Sequence, residues 1–217
     1  MPHTLMPCQA LLHAPVRALD GPLGQLDDAF IEDQQWHVRF LVADLSDCQP
    51  GCKALLTEHD VRSVSTHPPR VELELPRRDV TGMRSVPAEV VEHPDNDAPH
   101  AAAAVPAAGL DAEPPTGADD LAGLPGFGML FSDTDVPGFA LIGHRGAIAV
   151  VEDLLVCTHT WRAIFAVARG EDDIPRLLLP EGFQEVNYER RAIHIALSAE
   201  ALAHCPPYRT PDDASDQ

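Results

Sequence analysis

The sequence has no long uncharged apolar run, no Lys or Arg close to its N-terminus and no even set of cysteines. Pro7, Gln9, His13 and Pro15 interrupt the apolar residues near the start, so neither a secretory signal nor a membrane span is predicted. Cys8, Cys48, Cys52, Cys157 and Cys205 are odd in number and scattered, which predicts a soluble chain in a reducing cytoplasm. Basic charge is scarce: the net charge is −19, and residues 88–135 hold ten acidic residues and no Lys or Arg. A chain this acidic repels phosphate backbones and anionic headgroups unless it gathers a basic patch. The one visible cluster, Arg77 and Arg78, is too small for that, so neither nucleic-acid binding nor direct membrane insertion is expected. The glycines form no phosphate-loop or dinucleotide pattern, and Ser132 in FSDTD and Ser198 in ALSAE lack a nucleophile elbow.

What the sequence does contain is a repeat. With Trp36 laid over Trp161, an offset of 125, Gly21 meets Gly146, Asp28 meets Asp153, Phe30 meets Leu155, Phe40 meets Phe165 and Val42 meets Val167. Further on, Val71 to Leu75 meets Ile193 to Leu197 at an offset of 122, which places a three-residue loop deletion between the matching strands. The 21 prolines and 14 glycines favour short elements and many turns.

Within each copy the apolar pattern has period two. Trp36, Val38, Phe40 and Val42 fall on one face, as do Trp161, Ala163, Phe165 and Val167, and Val71, Leu73 and Leu75 alternate with Glu72 and Glu74. Such alternation marks strands with one face in a core. Short helices are predicted over Arg77 to Met83 and over Ala199 to His204, the second capped by Ser198 and stopped by Pro206-Pro207. Residues 88–125 are rich in Ala, Pro, Asp and Glu without aromatics or periodicity, which predicts a disordered acidic linker where cleavage releases two folded fragments. The domains are therefore expected at 1–87 and 126–209, with an acidic tail at 210–217. The segment 126–143, with Phe127, Met129, Phe131 and Phe139, is assigned to the second domain.

The segments ALDGPLGQLDDAFIEDQQWHVRFLVADLSDCQPGCKALL and LIGHRGAIAVVEDLLVCTHTWRAIFAVARG resemble the PRC-barrel family, which takes its name from the cytoplasmic domain of the photosynthetic reaction centre H subunit. Gly21, Gly24, Asp28, Trp36, Asp44, Pro50 and Gly51 carry the likeness in the first copy. The second copy departs from it, with Arg169 in place of the acidic residue after the strand and GEDDIP in place of the PG loop. The resemblance implies an all-β chain with short helices, folded as two small antiparallel barrels in tandem. It also implies a bacterial, cytoplasmic, non-enzymatic protein that interacts with a protein partner or with itself. The alternative it implies is an accessory subunit or assembly factor of a membrane redox or photosynthetic electron-transfer complex.

Candidate chemistry has plainer readings at each position. Cys48 and Cys52 are spaced irregularly for zinc and lack a second pair. His159 falls in a hairpin turn, His194 on a solvent face and His204 at a helix end, and His144 pairs with no carboxylate or cysteine at a catalytic spacing. Asp28 and Asp153 recur at one strand position and read as hydrogen-bond acceptors for loop backbone near the strand end. No catalytic, metal or cofactor residues are assigned, and no cofactor is expected. The structural and interaction residues are Gly21, Asp28, Trp36, Phe40, Gly146, Val150, Val151, Asp153, Trp161 and Phe165. Among them Val150 and Val151 belong to a strand, Ile148 to Val156, that is apolar on both faces, whereas its counterpart carries Gln25, Asp27, Asp28 and Glu32. Cover is therefore expected on both faces of that strand.

Overall fold

A computed structural model describes residues 4–87, 130–132 and 134–209; the predicted linker and tail lie outside the described residues. The fold is mostly β. Before and within the first copy the strands are β1 (Leu5–Pro7), β2 (Pro15–Ala18), β3 (Gly21–Glu32), β4 (His37–Asp44), β5 (Cys52–Leu56), β6 (Val61–Thr66), β7 (Pro69–Leu73) and β8 (Ser85–Pro87). Before and within the second they are β9 (Leu130–Ser132), β10 (Ala140–Gly143), β11 (Gly146–Cys157), β12 (Arg162–Gly170), β13 (Pro175–Leu178), β14 (Phe183–Asn187) and β15 (Ala192–Ile195). Helical turns at Arg77–Asp79 and Ala199–Ala203 follow β7 and β15.

The chain divides into two compact units, one of residues 10–132 and the other of residues 1–9 with 133–217. In the first, the hydrogen-bonded order is β6, β7, β2, β3, β4, β5, β8, with β2 and β7 parallel and the remaining neighbours antiparallel. In the second the order is β14, β15, β10, β11, β12, β13, with β10 and β15 the parallel pair. A single bridge, Arg176 to Pro207, stands where the first unit has β8. Among the described residues both paths keep two free ends, so the closed barrels predicted from the sequence are not seen.

The two units repeat each other in their irregularities as well as in their strands. β2 and β3 slip register between Val16 and Arg17, and β10 and β11 slip between Leu141 and Ile142. β3 bulges between Leu26 and Asp28 and β11 between Val151 and Asp153, while opposite Phe30/Ile31 and Leu155/Val156 the extra residue lies on the partner strand, Arg39 of β4 and Ile164 of β12. β6 and β14 are irregular at Val61/Ser63 and Phe183/Glu185. Bulges bend a strand at a fixed place and are retained as features of a fold. Their recurrence at offsets of 125 and then 122 supports duplication more strongly than the sequence overlay alone.

Trp36 and Trp161 occupy equivalent places. Each ends the four-residue loop of its long hairpin with φ of 55° and 51°, a left-handed conformation that costs an L-residue roughly 1–2 kcal/mol. Both tryptophans are buried, which offsets that strain. In β7, Val71 and Leu73 are buried and Glu72 is not, the alternation predicted, and in β15 Ile193 and Ile195 are buried while His194 faces solvent as expected. β4 does not. Leu41 and Ala43 are buried, and on the opposite face Val42 packs with Phe30, Phe40 and Leu55.

Gly24 is required by close approach. At Gly24, φ is 151° and a Cβ would lie 2.0 Å from the carbonyl oxygen of Asp44, a backbone atom that cannot move aside. At Gly51, φ is 80° and a Cβ would meet nothing within 4 Å. Gly24→Ala is therefore expected to cost about 2–4 kcal/mol through overlap and strain, against about 1 kcal/mol for Gly51→Ala. Urea unfolding midpoints of the two variants check this; equal midpoints would show that the Gly24 contact is relaxed.

Candidate functional site

Bulges place the two recurring aspartates. Where β3 bulges, Asp28 is buried and its Oδ1 accepts the Ala29 N–H at 2.7 Å. Where β11 bulges, Asp153 Oδ1 accepts the Leu154 N–H at 2.7 Å and the Gln9 N–H at 3.3 Å. Both side chains accept backbone hydrogen bonds, but the donor they share is the next residue inside the strand and not the loop backbone expected from the sequence. The partner Gln9, 144 residues away in sequence, was not legible there. Gln9 also donates its Nε2 to the Glu152 carbonyl at 3.0 Å. Burial pushes the Asp153 carboxyl up to about 6, against the opposing pull of the Leu154, Gln9 and Cys8 N–H groups and with a further push from Glu152.

The neighbouring ion pairs explain the Arg169 departure. In the first copy Asp27 pairs with Lys53 of β5 at 2.7 Å. Glu152 stands at the Asp27 position, and Pro175 has replaced Lys53; the cation has moved to β12, where Arg169 bonds Glu152 with both Nε and Nη2 and reaches Asp173. The acid keeps a cation by a different strand. Nearby, Arg176 beside Asp172 holds that carboxyl below the ordinary carboxylate range.

Val151 is buried in the second unit, but its neighbour Val150 is 45% exposed, so the outer face of β11 is open at this end. Leu154 to Cys157 are buried on both faces, and so are Ala29 to Glu32 of β3. Double burial thus belongs to the C-terminal end of both long strands and is not peculiar to the apolar one. Glu32 is tolerated there because its carboxylate accepts the Gln34 and Gln35 N–H groups of the hairpin loop and pairs with Arg39 at 3.1 Å. Phe40 and Phe165 are half-buried, and Phe40 pairs across the ladder with Phe30 as Phe165 does with Leu155. Gly21 and Gly146 both open their long strands with positive φ, 150° and 118°.

Segment 126–143 behaves differently from the sequence reading. Phe139 does pack in the second unit, edge-on to Tyr188 and under the Arg191 guanidinium. Leu130–Ser132, however, pairs with β3 in the unit of the first copy, and β1 pairs with β11 in the unit of the second.

Cys48 donates its thiol to the Leu23 carbonyl at 3.5 Å, and Cys52 starts β5. Among the described residues no group of three or more His, Cys, Asp or Glu is placed to hold a metal ion. His204 Nδ1 lies 2.8 Å from the Glu200 carbonyl at the end of its helical turn, and His159 and His194 are exposed. No helix among the described residues is long and apolar enough to cross a membrane. No protein-family model and no curated protein matches the chain.

A pH test follows from Asp153. Since ionisation is disfavoured in the fold, this group makes stability fall as pH rises from about 4 to about 6 and leaves it level above. Asp153→Asn keeps an oxygen for the Leu154 and Gln9 N–H groups and removes the charge. The variant should therefore gain on the wild type across that window, by on the order of 1–3 kcal/mol at pH 7 at about 1.4 per pKa unit. Urea titrations at about pH 4.5 and pH 7 measure the difference, and a gap that does not widen with pH contradicts the assignment.

Proposed function

We propose that the chain is a non-catalytic protein-interaction or scaffold protein built from two diverged PRC-barrel-type domains. The resemblance in Gly21, Gly24, Asp28, Trp36, Asp44, Pro50 and Gly51 supports the family reading. The interaction reading rests on one comparison between the copies. Val150, Ile174 and Leu179 of the second copy are 45%, 43% and 55% exposed, and the matching positions in the first hold Gln25, Cys52 and Thr57. Large apolar side chains have replaced smaller or more polar ones where water reaches them. Isolated exposed apolar residues need no explanation, but three changes in the same direction in one copy point to a surface that is covered in use. Ile174 and Leu179 bracket β13, while Val150, Arg169 and Pro175 stand in one row across β11, β12 and β13.

Ile174→Asp with Leu179→Asp should leave the unfolding free energy within about 0.5 kcal/mol of wild type, as substitutions at exposed sites do, and should weaken association at least tenfold. Sedimentation reports self-association, and capture of partners from separate cytosolic and membrane fractions reports hetero-association. A membrane redox complex retained by the wild type and lost by the variant would favour the accessory-subunit reading. Identical sedimentation and capture by both proteins would remove the surface.

A further inference from the structure

A three-residue strand is too short to persist by itself, yet β1 and β9 have that length and each is seated on a partner far away in sequence. β1 pairs Leu5 with Cys157, Met6 with Val156 and Pro7 with Leu155. β9 pairs Leu130 with Glu32, Phe131 with Ile31 and Ser132 with Phe30. Every residue of the second set stands 125 positions from its equivalent in the first. β1 and β9 are therefore the same element of the repeat, the strand that precedes each copy, and each completes the unit of the other copy.

The contacts of the first of these strands continue past the ladder. The Thr158 N–H donates to the Thr4 carbonyl at 3.2 Å, Met6 and Cys8 are buried, and the Gln9 N–H and side-chain amide reach Asp153 and Glu152. An extended segment with a buried central side chain, tied at both ends, has the form of strand addition to a sheet edge. The edge it covers, Leu155 to Cys157, is buried on both faces, so its N–H and C=O groups need a partner other than water.

We propose that the β11 edge at Leu155 to Cys157 is a strand-docking site whose occupant is residues 4–9 of the same chain. Mutual exchange of leading strands then makes the two halves of the sequence one assembly, whether or not the segment joining them is intact. Cleavage between the copies gives two fragments that stay together, in place of the two independent domains expected from the sequence. This exchange stands apart from the function proposed above.

The test uses the full chain with a protease site inserted after Ala108 and the substitution Leu5→Cys. Because the Thr158 N–H bonds the Thr4 carbonyl, Leu5 and Cys157 form the next, non-hydrogen-bonded pair, where Cα atoms stand about 4.5 Å apart and a disulfide is feasible. Leu5 is partly exposed, so this change is mild. After cleavage and oxidation the expected result is one band of full-chain mass without reductant and two bands with it. Mass spectrometry should find a peptide in which the thiol introduced by Leu5→Cys is joined to Cys157. Parallel chains retaining Leu5 should remain uncross-linked but co-elute after cleavage, and adding Met6→Lys to them should weaken fragment association at least tenfold. Fragments that separate at micromolar concentration, or an introduced thiol that links only within its own fragment, would overturn the proposal. Cross-linked dimers of the uncut chain would overturn the choice of occupant, since the strand would then come from a second copy.

Discussion

The long strand of each copy, twelve residues in both cases, governs the arrangement around it. Its backbone must be hydrogen-bonded along both edges wherever it is buried. β4 and β12 satisfy one edge for most of its length, but β2 and β10 follow the other edge only over its first part, up to Gln25 and Val150. A second segment has to take over at Phe30 to Glu32 and at Leu155 to Cys157, and in both units that segment is the leading strand of the other copy. The bulges beside Asp28 and Asp153 lie between these stretches, where each aspartate accepts the backbone N–H of the residue that follows it.

Much of this was legible in the sequence because Trp36 and Trp161 anchor an overlay that runs on through Gly21/Gly146 and Asp28/Asp153. Period-two alternation located β7, and the overlay at an offset of 122 carried that strand to β15. The leading strands were missed for a physical reason. Leu5-Met-Pro and Leu130-Phe-Ser are too short to show a period, and the first contains a proline, which is tolerated at a strand end. Carrying the same overlay 31 residues upstream of Trp36 and Trp161 would have set Leu5 on Leu130. Double burial of β3 was likewise hidden, because Glu32 reads as a solvent residue until its loop N–H partners and Arg39 are known. At Val150 the chain itself supplies no cover, and an apolar residue is left 45% exposed.

The copies have diverged by moving partners rather than by losing them. Lys53 on β5 and Arg169 on β12 serve equivalent carboxylates from different strands. The helical turn after β7 begins at Pro76, which has no side chain to cap it, and the Arg77 N–H is instead taken by Asp20 from the β2–β3 turn at 2.7 Å. In the second copy Ser198 stands at the Pro76 position and caps its own turn through the Ala201 N–H at 3.1 Å. A charged or capping group that is lost leaves an unsatisfied partner costing about 1–3 kcal/mol, enough to favour a substitute from whichever strand is near.

The chain has two tryptophans, one in each copy, at the same hairpin position and both screened from water. Each unit thus contains its own intrinsic fluorophore in nearly the same surroundings. Emission of the native protein is a sum of two matched signals, and a single Trp→Phe replacement turns that sum into a report from one unit alone. The duplication has in effect labelled both halves with the same probe.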